Sequence, residues 1–136
     1  SGWAHMAYEV YQWAQAQGIT LPPREEFFAH ESLSKFEGKT SLESANKLIE
    51  LFSRNTREDP DYEPWHKGLA LALKWLRLIQ TENQTEEDVL SFVTDTSKYI
   101  RNYIDNLWSA LIWGVVYWAR QLGYADQVLA IIRSES

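Results

Sequence analysis

The sequence predicts an all-α fold, a single compact bundle of about six or seven helices with a buried central helix. Three observations carry that expectation. No segment alternates apolar and polar residues between turn residues, several segments repeat apolar residues at helical spacing, and those segments start and stop at recognisable caps. At 136 residues the chain suits one domain, and a chain of that size buries roughly two-thirds of its unfolded surface on folding. Residues 1 to 5 read as a cloning remnant and residues 6 to 136 as one helical domain, with no internal repeat and no low-complexity segment.

A first helix is expected from about Ala7 to Gln17, with Ala7, Val10, Tyr11 and Ala14 on one side and Gly18 as its stop. "TLPPREE" then breaks the chain. Pro23 suits the first turn of a second helix, Glu25 and Glu26 favour the positive end of its dipole, and Gly38 follows its end near Phe36. "TSLESANKLIELFSRN" is the clearest peripheral helix: Thr40 and Glu43 have capping-box spacing, and Leu42, Ala45, Leu48, Ile49 and Phe52 share a face.

After the polar connection "TREDPDYEP", the segment "WHKGLALALKWLRLIQ" is apolar almost all round except for a stripe through Lys67, Lys74 and Arg77. A helix wet on so narrow a strip is expected near the centre of the bundle. The next pattern opens at Thr85 with Asp88 in capping position and closes at Gly123, its apolar phase running through Val89, Val93, Ile100, Ile104, Leu107, Leu111, Val115, Trp118 and Leu122. Asp95, Thr96 and Ser97 can recap the chain, so a break is expected there. "YADQVLAIIRSES" makes a short final helix.

The bulk numbers exclude several function classes. Cysteine is absent, which removes disulfide frameworks, thiolate nucleophiles and cysteine-held zinc, and favours a cytoplasmic protein. Net charge is −6, with a sequence pI near 5.0, so nucleic acid and anionic lipid are disfavoured as partners. The apolar run Leu107 to Ala119 is shorter than the ~20 residues a membrane-spanning helix needs. No phosphate-binding glycine loop or nucleophile elbow occurs.

Residues that hint at metal chemistry have plainer explanations. Glu63 and His66 occur once at the spacing of a carboxylate-bridged metal pair, without the second pair such a site requires. His30 lacks a glutamate at that offset. Glu86, Glu87 and Asp88 fall in a helical first turn, where negative charge is favourable with no ion present. No metal or cofactor is expected.

"LWSALIWGVVYWARQLG", residues 107 to 123, holds three tryptophans and one charge. On a helical wheel a polar stripe through Lys98, Arg101, Asp105 and Ser109 continues into Ile112, Trp113 and Val116 before returning to Arg120. Something must cover those three residues, either another helix of the chain or a partner. The partner reading predicts a non-enzymatic protein–protein interaction domain, as an adaptor, an inhibitor or immunity-type protein, or a small subunit of a complex. Its contact residues would be Ile112, Trp113 and Val116 with Tyr117 and Arg120 as the rim, engaging a protein partner or a second copy.

Two alternatives stand beside it. "WARQLGYADQVLAIIR" resembles the helix-turn-helix signature, with Ala119, Leu122, Gly123 and Leu129 at the required spacings, which implies a nucleic-acid-binding regulator. Its second helix offers Asp126, Gln127 and a single late Arg133, a poor set for phosphate contact. The other alternative is a small apolar ligand in an aromatic pocket among Trp75, Trp108 and Trp118.

Overall fold

The computed structural model describes Gln12, Ala16, residues 40–100, Asn102 and residues 106–135. Among these residues the regular structure is all helical, with no strand. Five helices follow in order: α1 (Ser41–Glu58), α2 (Glu63–Gln80), α3 (Glu86–Ser97), α4 (Asn106–Gln121) and α5 (Ala125–Glu135). Gln12 and Ala16 also have helical backbone, but the remainder of the first expected helix, and all of the second, lie outside the described residues.

α1 begins as its sequence dictates. The Thr40 hydroxyl accepts a hydrogen bond from the Glu43 backbone N–H at 3.1 Å, and the Glu43 carboxylate accepts one from the Thr40 N–H at 3.2 Å, completing the capping box. Both groups would otherwise leave orphan donors at the helix start. Replacing Thr40 with Ala is expected to cost about 1 kcal/mol, read as a melting midpoint a few degrees lower in circular dichroism. An unchanged midpoint would show that the cap contributes nothing.

The face of α1 made by Ala45, Leu48, Leu51 and Phe52 is buried, whereas Leu42, expected on that face, is exposed. α2 starts with Pro64 in its first turn, where the missing N–H is harmless, and pairs extensively with α1. The pair approaches closely at Gly68: a β-carbon there would overlap the Phe52 ring, which is fully buried.

α2 is less enclosed than its composition implies. Its buried residues are only Gly68, Ala72 and Trp75, while Leu69, Leu71, Leu76, Leu78 and Ile79 are half-buried and Leu73 is exposed. Among the described residues, the structure does not show this segment as the buried centre. Leucines around a whole helix circumference fix neither how many neighbours it has nor on which sides, and the buried stripe of α2 is shared, with Gly68 against Phe52 of α1 and Trp75 against Trp118 of α4.

α3 opens on Thr85, whose hydroxyl accepts from the Asp88 N–H at 3.1 Å, with Glu86, Glu87 and Asp88 in the first turn. It ends at Ser97, within the expected break, but by a different route. The buried Thr96 hydroxyl donates backwards to the carbonyls of Phe92 at 3.2 Å and Val93 at 3.1 Å rather than capping a new helix. Tighter turn bonds follow, from Tyr99 N–H to Thr96 O and from Ile100 N–H to Ser97 O.

α4 is the most enclosed element: every residue from 107 to 116 is buried, and the helix packs against α1, α2, α3 and α5. It closes with a Schellman turn. Gly123 has φ +100°, its N–H donates to Arg120 O at 2.9 Å, and the Tyr124 N–H donates to Ala119 O at 3.1 Å. α5 then buries Val128 and Ile132 and lies against α3 and α4, where the Gln127 amide donates to the Glu86 carboxylate at 2.9 Å.

Candidate functional site

The structure places Ile112, Trp113 and Val116 inside the fold. Their relative exposures are 1, 2 and 0%, so the chain itself covers the sector that lacks polar residues. In this structure the three form no open patch. Ser109, the polar residue that opens the same sector, is buried as well. The wheel treats the chain as one helix from Lys98 onward, but α3 ends at Ser97 and the chain passes into tighter turns at Tyr99 and Ile100. The phase of Lys98 therefore does not carry into α4, and Arg101 and Asp105 lie outside the described residues.

Tyr117 and Arg120 are half-buried, and so reach the surface from the last turn and a half of α4. Tyr117 follows Trp113 by four residues and Arg120 follows Val116 by four, which stacks each surface group above a buried one on the same helix face. The Tyr117 hydroxyl accepts a hydrogen bond from the Gln121 amide at 2.8 Å. Leu122, in the turn that follows, is exposed despite its place in the apolar phase.

Among the described contacts, Trp75, Trp108 and Trp118 fall into two aromatic groups. Trp75 and Trp118 meet edge to face with ring centroids 6.3 Å apart. Trp108 sits with Phe52 at 5.9 Å and Tyr99 at 5.1 Å, and its indole N–H donates to Pro64 O at 3.2 Å. Residues 108 and 118 are separated by about 15 Å along a helix axis at 1.5 Å per residue, which a single small ligand among all three rings would have to bridge. Both Trp75 and Trp108 are fully buried, and among the described residues the indole N–H of Trp75 has no acceptor.

The polar motifs are satisfied locally. His66 Nε2 lies 2.7 Å from Pro60 O, which engages the imidazole with the loop before α2. Glu86 accepts from Gln127, and Asp88 belongs to the α3 cap. Among the described residues no three His, Asp or Glu side chains converge as a metal site, and no helix is long and apolar enough to cross a membrane. His30 lies outside the described residues.

The helix-turn-helix resemblance has a real turn behind it, since Gly123 supplies the left-handed residue between α4 and α5. The exposed positions of α5 nevertheless include Asp126, Gln127, Ala130 and Arg133. One arginine beside an aspartate is little to set against a phosphate backbone.

A second cluster has no counterpart in the sequence reading. Lys67 from α2 and Lys98 from the end of α3 place their ammonium groups 5.7 and 5.2 Å from the Tyr99 ring centroid. Lys74 pairs with Asp95 at 3.3 Å and lies 5.8 Å from the Phe92 ring, and Lys67 pairs with Glu63 at 3.7 Å. The only signal in the sequence is the Lys67, Lys74 stripe, which reads as the wet edge of a helix. No protein-family model matches the chain, and neither does any curated protein or solved structure.

Proposed function

We propose that this domain is a non-enzymatic protein–protein interaction module, an adaptor, an inhibitor or immunity-type protein, or a small subunit of a larger complex. The observation that carries the reading is the emergence of Tyr117 and Arg120 at the end of an otherwise enclosed tryptophan-rich helix. Tyrosine and arginine are enriched among residues that dominate binding energy, especially on a rigid base. Here Ile112, Trp113 and Val116 form that base rather than the contact itself. The acidic net charge and the composition of α5 favour a protein partner over nucleic acid.

The test is affinity capture from the native lysate with the wild type and a Tyr117→Ala, Arg120→Ala double variant, alongside light scattering of each pure protein. A protein retained by the wild type, or a self-associated wild type, is expected to be lost in the double variant while its melting midpoint stays near that of the wild type. Each truncated anchor is expected to weaken binding by about 1–2 kcal/mol. Capture and self-association that are the same for both proteins would overturn the reading.

A further inference from the structure

Among the described residues, the neighbours of α2 occupy two of its sides. Gly68 lies against Phe52 of α1 and Trp75 against Trp118 of α4, while Lys74 and Lys67 reach Asp95 of α3 and Tyr99 just past its end. On the remaining side runs a stripe of leucines: Leu73 is 37% exposed, and Leu69 and Leu76 are half-buried beside it. We propose that this stripe is a dimer contact, covered by α2 of a second copy of the chain running antiparallel to the first. This goes beyond the Tyr117–Arg120 reading and rests on a different helix.

Charge selects the occupant. Glu63, Ala70 and Arg77 recur every seven residues along one flank of the stripe, and all three are exposed. A step of seven returns to nearly the same direction on a helix, drifting by about 20°. A two-fold axis across antiparallel helices keeps a given flank on the same side in both copies. Reversing a second α2 about Ala70 therefore sets Glu63 of each copy opposite Arg77 of the other, a self-complementary contact. A parallel copy would set glutamate beside glutamate and arginine beside arginine.

An acidic start and a basic end also suit the dipole of a single helix, but that preference does not require the two charges to share a flank with a small exposed residue midway between them. Glu63 lies 3.7 Å from Lys67 on its own helix and still keeps 75% of its side-chain exposure. Lys74 lies further round the helix, where it holds Asp95. At the level of the axis Ala70 lets the two backbones approach, and Leu69 and Leu73 of both copies meet beside it. One helix against one helix buries less than the roughly 1,200 Å² of total surface typical of stable complexes, so the dimer is expected to dissociate on dilution.

The test is sedimentation equilibrium of the full chain over a concentration series, in which the wild type is expected to pass from monomer to dimer. Leu73→Lys is expected to stay monomeric where the wild type dimerises, with an unchanged circular dichroism spectrum because this side chain reaches solvent. Glu63→Arg and Arg77→Glu each turn both rim pairs from attractive to repulsive, and each alone is expected to weaken self-association about tenfold. An equimolar mixture of these two variants restores opposite charges at both rim positions and is expected to form a heterodimer, which a folding defect in either variant would not produce. The Tyr117→Ala, Arg120→Ala protein is expected to keep the dimer, which assigns Tyr117 and Arg120 to a different protein; its capture and the dimer are then lost through separate variants. The proposal is overturned by a wild type that stays monomeric at every concentration, whatever else covers the leucines, or by a dimer that Leu73→Lys leaves intact. A dimer that the Tyr117→Ala, Arg120→Ala substitutions abolish, or a charge-reversed mixture no more associated than its two components, overturns it equally.

Discussion

A Gly68→Ala variant is expected to lose about 3 kcal/mol of stability, although alanine is the better helix former. At an exposed helical position the same change would gain about 1 kcal/mol. Here the added methyl meets the Phe52 ring, and that ring has nowhere to go. It is fully buried, with Trp65 and Trp108 at centroid distances of 6.2 and 5.9 Å. Either α2 moves off α1, exposing the most extensive helix pair of the fold, or Phe52 leaves its rotamer and disturbs both indoles. Urea denaturation of the single variant measures the loss. A Phe52→Leu, Gly68→Ala double variant is expected to recover part of it, because the smaller side chain makes room for the methyl, and a double-mutant cycle isolates that coupling. A Gly68→Ala protein as stable as the wild type, or more so, would mean that the two helices do not depend on contact at this glycine.

The features legible in the sequence are those whose partners lie within a few residues. The Thr40–Glu43 box, the Thr85 cap and the Gly123 stop depend only on local backbone groups, and the structure contains each of them. Gly68 is visible as a glycine inside a helix, but its reason is a ring on α1, which no local pattern records. The apolar circumference of α2 and the apolar sector of α4 look alike in sequence, yet α4 is buried at every residue from 107 to 116 while α2 is buried along one narrow stripe. Periodicity reports which residues avoid water, not how many neighbours the fold supplies. The lysine cluster around Tyr99 is hidden for a similar reason. The packing of α2 and α3 brings Lys67 to the Tyr99 ring, which Lys98 adjoins in the chain, and the separation of residues 67 and 99 carries no period.

Replacing Trp113 with Glu is expected to abolish cooperative folding, and it separates a foundation role for this residue from a contact role. The indole is only 2% exposed. Removing so large a buried side chain costs about 3–5 kcal/mol through lost contacts and the cavity left behind. The introduced carboxylate must then either lose its hydration or take up a proton, which adds several kcal/mol more. Against a total stability of about 5–15 kcal/mol for a domain, those losses together leave little or no folded population. Trp113→Phe keeps an apolar ring at the site and is expected to fold with a reduced melting midpoint. Far-ultraviolet circular dichroism through a thermal ramp, with near-ultraviolet signals as the readout of fixed packing, distinguishes the two variants. If Trp113→Glu melts cooperatively at the wild-type temperature, the indole must face solvent in the working protein. The contact surface would then extend inward from Tyr117 and Arg120 along α4, because the same four-residue spacing that makes Trp113 a support beneath Tyr117 would make it the next residue a partner meets.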